Sequence, residues 1–100
     1  MPKYYRDLIP WLITYIGGST AACGTVSTEV EVPALANCAD IHAEGAALYY
    51  TINGAAASSS SYGVIPQDKS WIVGPLDNLG TLHVIGGGTA AVAHVEFYQG

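Results

Sequence analysis

The sequence predicts an all-β fold: a small antiparallel β-sandwich or jelly-roll with an extended apolar N-terminal arm. Three observations predict it. Residues 81–85 read as a short apolar run and residues 90–98 as an alternating strand, on either side of Gly86-Gly87-Gly88. Turn-forming residues recur at roughly ten-residue intervals, with short β-branched and aromatic runs between them. No stretch sustains helical periodicity.

Residues 1–17 form the arm and 18–100 the sandwich domain. The arm crowds Tyr5, Leu8, Trp11, Leu12, Tyr15 and Ile16 around Pro10. Pro10 interrupts a helix through the middle, although it fits the first turn of one, so strand and short helix both stay open. Gly17-Gly18 is expected to be the hinge into the domain. Residues 20–32 read as one strand, with Val26, Thr28, Val30 and Val32 on one face and Ser27, Glu29 and Glu31 on the other. Pro33 ends it. Asn37, Asp40 and Gly45 suit turns, and a strand over 38–42 is only weakly signalled. Residues 46–52 alternate clearly and run into the turn signal Asn53-Gly54. The small-residue loop 55–61 follows. Residues 62–66 and 70–73 are further short strands. The last, Ala90 to Tyr98, places Ala91, Ala93, Val95 and Phe97 on one face and Val92, His94, Glu96 and Tyr98 on the other. With residues 81–85 it is expected to close a β-hairpin.

One hundred residues make one domain. Half are hydrophobic and only 11% are charged, against roughly 25% in ordinary soluble domains. A surface so poor in charge is expected to be covered by protein. Residues 7–100 hold all eight acids and a single base, Lys69, whereas Lys3 and Arg6 stand at the start. An acidic body repels phosphates, which argues against nucleic-acid binding. The basic start could dock on an acidic surface. The apolar stretch 8–16 is too short to span a bilayer, and Asp7 and Pro10 oppose a signal peptide. No membrane partner is expected.

The chemistry-bearing residues form no recognised catalytic motif. Cys23 and Cys38 have no metal-ligand spacing; a disulfide needs their strands to be neighbours. His83 and His94 would face each other in the last hairpin and could hold a metal with Glu96 or His42, but a cross-strand polar pair is the plainer reading. Glu29 and Glu31 read as the wet side of a strand. Ser58 to Ser61 lack a neighbouring base. Gly86-Gly87-Gly88 lacks the Lys of a phosphate loop. The aromatics Tyr49, Tyr50, Tyr62, Trp71, Phe97 and Tyr98 could form a sugar platform, but at strand spacing they suit a core or an interface. The expectation is a protein that is no enzyme and needs no cofactor.

Residues 49–98 contain Tyr50-Thr51-Ile52-Asn53-Gly54, a small-residue loop, Gly63-Val64-Ile65-Pro66, Ser70-Trp71-Ile72-Val73, the stretch Leu79 to Ile85 and Ala93-His94-Val95-Glu96-Phe97-Tyr98. This order resembles small accessory virion proteins of tailed bacteriophages, among which capsid decoration (cement) proteins occur. The likeness covers about half of the chain and leaves the arm aside. It implies a structural protein made in the host cytoplasm and carried on the outer capsid surface. The implied partners are the major capsid protein and other copies of the chain, in a homotrimer. Tyr5, Trp11, Leu12, Tyr15, Ile16, Tyr62 and Trp71 are the expected interface residues. A tail, fibre or baseplate module binding protein or a cell-surface sugar is the alternative.

Overall fold

The computed structural model describes residues 14–54, 56–58 and 63–100. These form eight strands: β1 (Thr14–Ala21), β2 (Thr28–Val30), β3 (Cys38–Glu44), β4 (Leu48–Ile52), β5 (Gly63–Ile65), β6 (Ser70–Val73), β7 (Leu82–Gly86) and β8 (Val92–Gln99). There is no helix among the described residues. The strands pair antiparallel in two sheets, β1-β8-β3-β6 and β2-β7-β4-β5. The fold is all-β and sandwich-like.

The core lies between the sheets and follows from side-chain alternation. On β8, Ala93, Val95 and Phe97 are buried; on β3, Ala39, Ile41 and Ala43; on β7, Leu82 and Val84. Leu48 of β4 and Ile65 of β5 complete it. The inward face of β8 is the one its pattern predicts.

Its pairing is not. β7 and β8 lie in different sheets, so the expected hairpin does not form. Each carries an apolar face that must be covered, and in opposite sheets these faces cover one another. The glycine run makes the crossing possible. A Cβ on Gly86 would stand 2.0 Å from Ala91 Cβ and 2.6 Å from Gly24 O. Gly86 N–H donates to that same Gly24 carbonyl at 2.7 Å.

Every connection except β4–β5 passes from one sheet to the other. The predicted strand over 20–32 is likewise broken into β1 and β2, with Gly24 at φ +54° in the crossing. The proposed hinge and the boundary after residue 17 fall inside β1, where Gly17 pairs with Phe97 and Gly18 with Glu96. Asp40 and the weakly signalled stretch around it are the middle of β3, a central strand and not a turn. Asn53 does not make a tight hairpin either. Its Oδ1 accepts from the N–H groups of Gly80 (2.5 Å) and Thr81 (3.1 Å), and its Nδ2 donates to Asn78 O at 2.6 Å. It ties the approach to β7 onto the end of β4.

Candidate functional site

The outer face of the β1-β8-β3-β6 sheet brings together Asp40, His42, Glu44, His94 and Glu96. Register sets the arrangement. Cys38, Asp40, His42 and Glu44 alternate with the inward residues of β3 and so point out. Cys38 stands opposite Tyr98, Asp40 opposite Glu96, His42 opposite His94 and Glu44 opposite Val92. On the flanks, β1 adds Tyr15 beside Tyr98, Gly18 beside Glu96 and Thr20 beside His94. On the far side of β3, β6 adds Ile72 beside Asp40 and Ser70 beside His42.

At one end the face is aromatic. Tyr15 and Tyr98 meet edge to face, centroids 5.5 Å apart at 70°. Tyr98 is buried although it points outward. Gly18 makes room for this contact, since a Cβ there would lie 3.2 Å from the Tyr15 hydroxyl.

In the next row two carboxylates face each other. Asp40 is 5% exposed, the one buried charged residue among those described. Its Oδ1 accepts no hydrogen bond among the described residues. Burial, and then the Glu96 charge across the strand pair, push the Asp40 carboxyl up to about 6. Glu96 Oε1 accepts from the Tyr98 hydroxyl at 3.4 Å.

The third row holds the histidine pair. The rings of His42 and His94 are 6.2 Å apart. His94 Nε2 meets Glu44 Oε1 at 2.5 Å, and Thr20 Oγ1 lies 3.3 Å from its Nδ1. His42 Nδ1 contacts Ser70 Oγ at 2.9 Å. This sets a hydroxyl beside a base, but no carboxylate contacts His42 Nε2 among the described residues, so nothing orients that ring as a general base. No three His, Cys, Asp or Glu side chains converge as metal ligands among the described residues.

These rows floor an open groove of about 840 Å³, whose lining includes Tyr15, Asp40, His42, Glu44, His94 and Glu96. A groove of this kind offers two things: hydrogen-bond acceptors for a donor, and negative charge for a cation.

The pairing of His83 with His94 does not occur. His83 lies on the outer face of the other sheet, between Glu29 and Thr51, and its Nδ1 is buried without a partner among the described residues. Glu29 is exposed on β2, and Glu31 lies beyond that strand. Cys23 and Cys38 are buried near opposite ends of β8: Cys23 Sγ is 3.8 Å from Ala91 O, while Cys38 is opposite Tyr98. The fold does not bring them together for a disulfide.

Of the expected interface residues, Tyr5, Trp11, Leu12 and Tyr62 lie outside the described residues. Tyr15 is on the groove rim. Ile16 falls at a β-bulge between Tyr15 and Gly17 and packs against the core. Trp71, 54% exposed, is on the opposite edge strand and opposite the inward-facing Ile41. The structure therefore separates Tyr15 and Trp71. Asp40 was missing from the expected site, although the alternation of Ala39, Ile41 and Ala43 with Cys38, Asp40 and His42 is itself a strand signal. No protein-family model, curated protein or solved structure matches this chain.

Proposed function

We propose that this chain is a structural virion protein, one that decorates a bacteriophage capsid and stabilises it by binding across neighbouring capsid subunits. The observation that carries the reading is the poverty of charge, 11% of residues in a chain that is half hydrophobic. Its surface agrees: Tyr15, Val26, Leu35, Val64 and Trp71 are all exposed, on both sheets and on the loops at their ends. Apolar side chains spread so widely suit a protein held between neighbours on several sides. The partners in this reading are the major capsid protein and other copies of the chain as a homotrimer, on the outer capsid surface. Repetition about a symmetry axis would multiply weak contacts into a firm hold.

We also infer that the strand path is of the jelly-roll type, because eight strands alternate between the sheets at every connection but one. The reading assigns the chain no catalysed reaction. Sedimentation of the pure protein, alone and mixed with capsid shells, tests it. A trimer that co-sediments with shells is expected. A lone monomer that leaves shells untouched would overturn it.

The groove favours a second reading, a tail, fibre or baseplate module that binds a cell-surface sugar. Tyr15 offers an aromatic ring in the same groove as the acceptors of Glu44 and Glu96. Glycan-array binding lost in Tyr15→Ala would favour this reading over the first.

A further inference from the structure

Asp40 lacks an answering group. Its side chain is 5% exposed, its Oδ1 has no donor among the described residues, and Glu96 stands directly opposite it on β8. Burying a carboxylate beside a like charge is costly unless a proton or a cation offsets it. Strand alternation turns both side chains outward, into the open groove of about 840 Å³. The described lining of that groove holds three carboxylates, those of Asp40, Glu44 and Glu96, and no lysine or arginine.

The arrangement selects among cations. A metal ion needs several ligands converging on one point, and no three His, Cys, Asp or Glu side chains do so among the described residues. Asp40 and Glu96 instead present acceptors from two neighbouring strands, with backbones about 5 Å apart. A guanidinium suits such a spread. It is planar, carries five N–H donors in a fixed fork and is more weakly hydrated than an ammonium. Gly18 is the residue of β1 beside Glu96, so no side chain closes that flank. In the next row the exposed Tyr15 lines the same groove and offers its ring to a cation. The groove also runs on past the two carboxylates, to Glu44 and His94, which leaves room for the backbone that carries the guanidinium. Free arginine brings a carboxylate of its own, which the three lining carboxylates repel; an arginine within a polypeptide does not.

We propose that the groove on the outer face of the β1-β8-β3-β6 sheet binds an arginine side chain of a partner protein, with its guanidinium held between Asp40 and Glu96. Capture of an arginine is a property of the groove and holds whether or not the partner is a capsid subunit.

The test is an amide NMR titration of the full chain at pH 7.5, where the Asp40 carboxyl, raised to about 6, is ionised. The probes are Nα-acetyl-argininamide, Nα-acetyl-lysinamide, the uncharged Nα-acetyl-citrullinamide and free arginine. Nα-acetyl-argininamide is expected to shift the amides of Asp40, His94 and Glu96 saturably, with a Kd of about 10 mM or tighter. The lysine probe and free arginine should bind at least about threefold more weakly, and the citrulline probe at least about tenfold. D40N and E96Q, made singly, should each weaken the arginine probe at least about tenfold. The amide of Asp77, outside the groove, should stay fixed throughout and reports that each variant is folded. No saturable shift up to about 100 mM of the arginine probe would overturn the proposal. Equal affinity for the lysine or citrulline probe, or undiminished binding in either variant, would overturn it as well. Free arginine binding as tightly as the blocked form would overturn the protein source.

Discussion

β3 and β8 run side by side through the middle of one sheet, and their two faces differ in kind. The inner face, with Ala39, Ile41, Ala43, Ala93, Val95 and Phe97, is apolar throughout and sealed by the other sheet. The outer face carries two carboxylates and two histidines in register, yet parts of it are as dry as the core. Tyr98 is 1% exposed and Asp40 5%. Alternation decides which way a side chain points; it does not decide whether water meets it there. On the other sheet the same contrast appears in miniature, where His83 sits between Glu29 and Thr51 with a ring nitrogen buried.

The sharpest way to probe the contrast is to empty the inner face. Phe97 is fully buried, so Phe97→Ala should cost about 3–5 kcal/mol in urea unfolding. A loss near 1 kcal/mol would mean that the two sheets are not closely packed there.

Asp40 tests the dry part of the outer face through pH. Its carboxyl is raised to about 6, so the folded chain keeps a proton that the unfolded chain releases near pH 4. This contribution to stability is complete below about pH 4, falls as the pH climbs through about 6, and is constant above that. Asp40→Asn should therefore be more stable than wild type at pH 7.5, by about 1–3 kcal/mol, and the difference should vanish at pH 4. A difference independent of pH would place Asp40 in water.

Tyr15→Ala removes the edge-to-face partner of Tyr98 and should cost about 0.5–1.5 kcal/mol beyond the lost area. Uncovering of Tyr98 is the signature to seek, as a change in tyrosine fluorescence. The smallest effect belongs to the wet row. His94 and Glu44 are 42% and 57% exposed, so His94→Gln should change stability by less than about 1 kcal/mol. A larger loss would make this row structural.

Most of the strands were legible because period-2 alternation reports burial directly. β6 falls on residues 70–73 as read, and β8 has its predicted inner face. Partnership was less legible. Two apolar stretches separated by glycines look alike whether they pair in one sheet or face each other across a core. The difference depends on long-range contacts that no local pattern records. The site suffered for the same reason. Misplacing β7 against β8 matched His94 with His83, whereas His42, from the weakly signalled β3, is its actual neighbour. Asp40 read as a turn former because aspartate favours turns, and tertiary burial overrode that preference.

The position of β8 between β1 and β3 has a kinetic consequence. β1 is synthesised first of the eight strands, yet its sheet partner among the described residues is the last. On the ribosome it must wait, an uncharged eight-residue edge with its backbone groups unanswered, until almost the whole domain has emerged. Completion of this sheet is thus a late event, and until then β1 is open to pairing with a stranger.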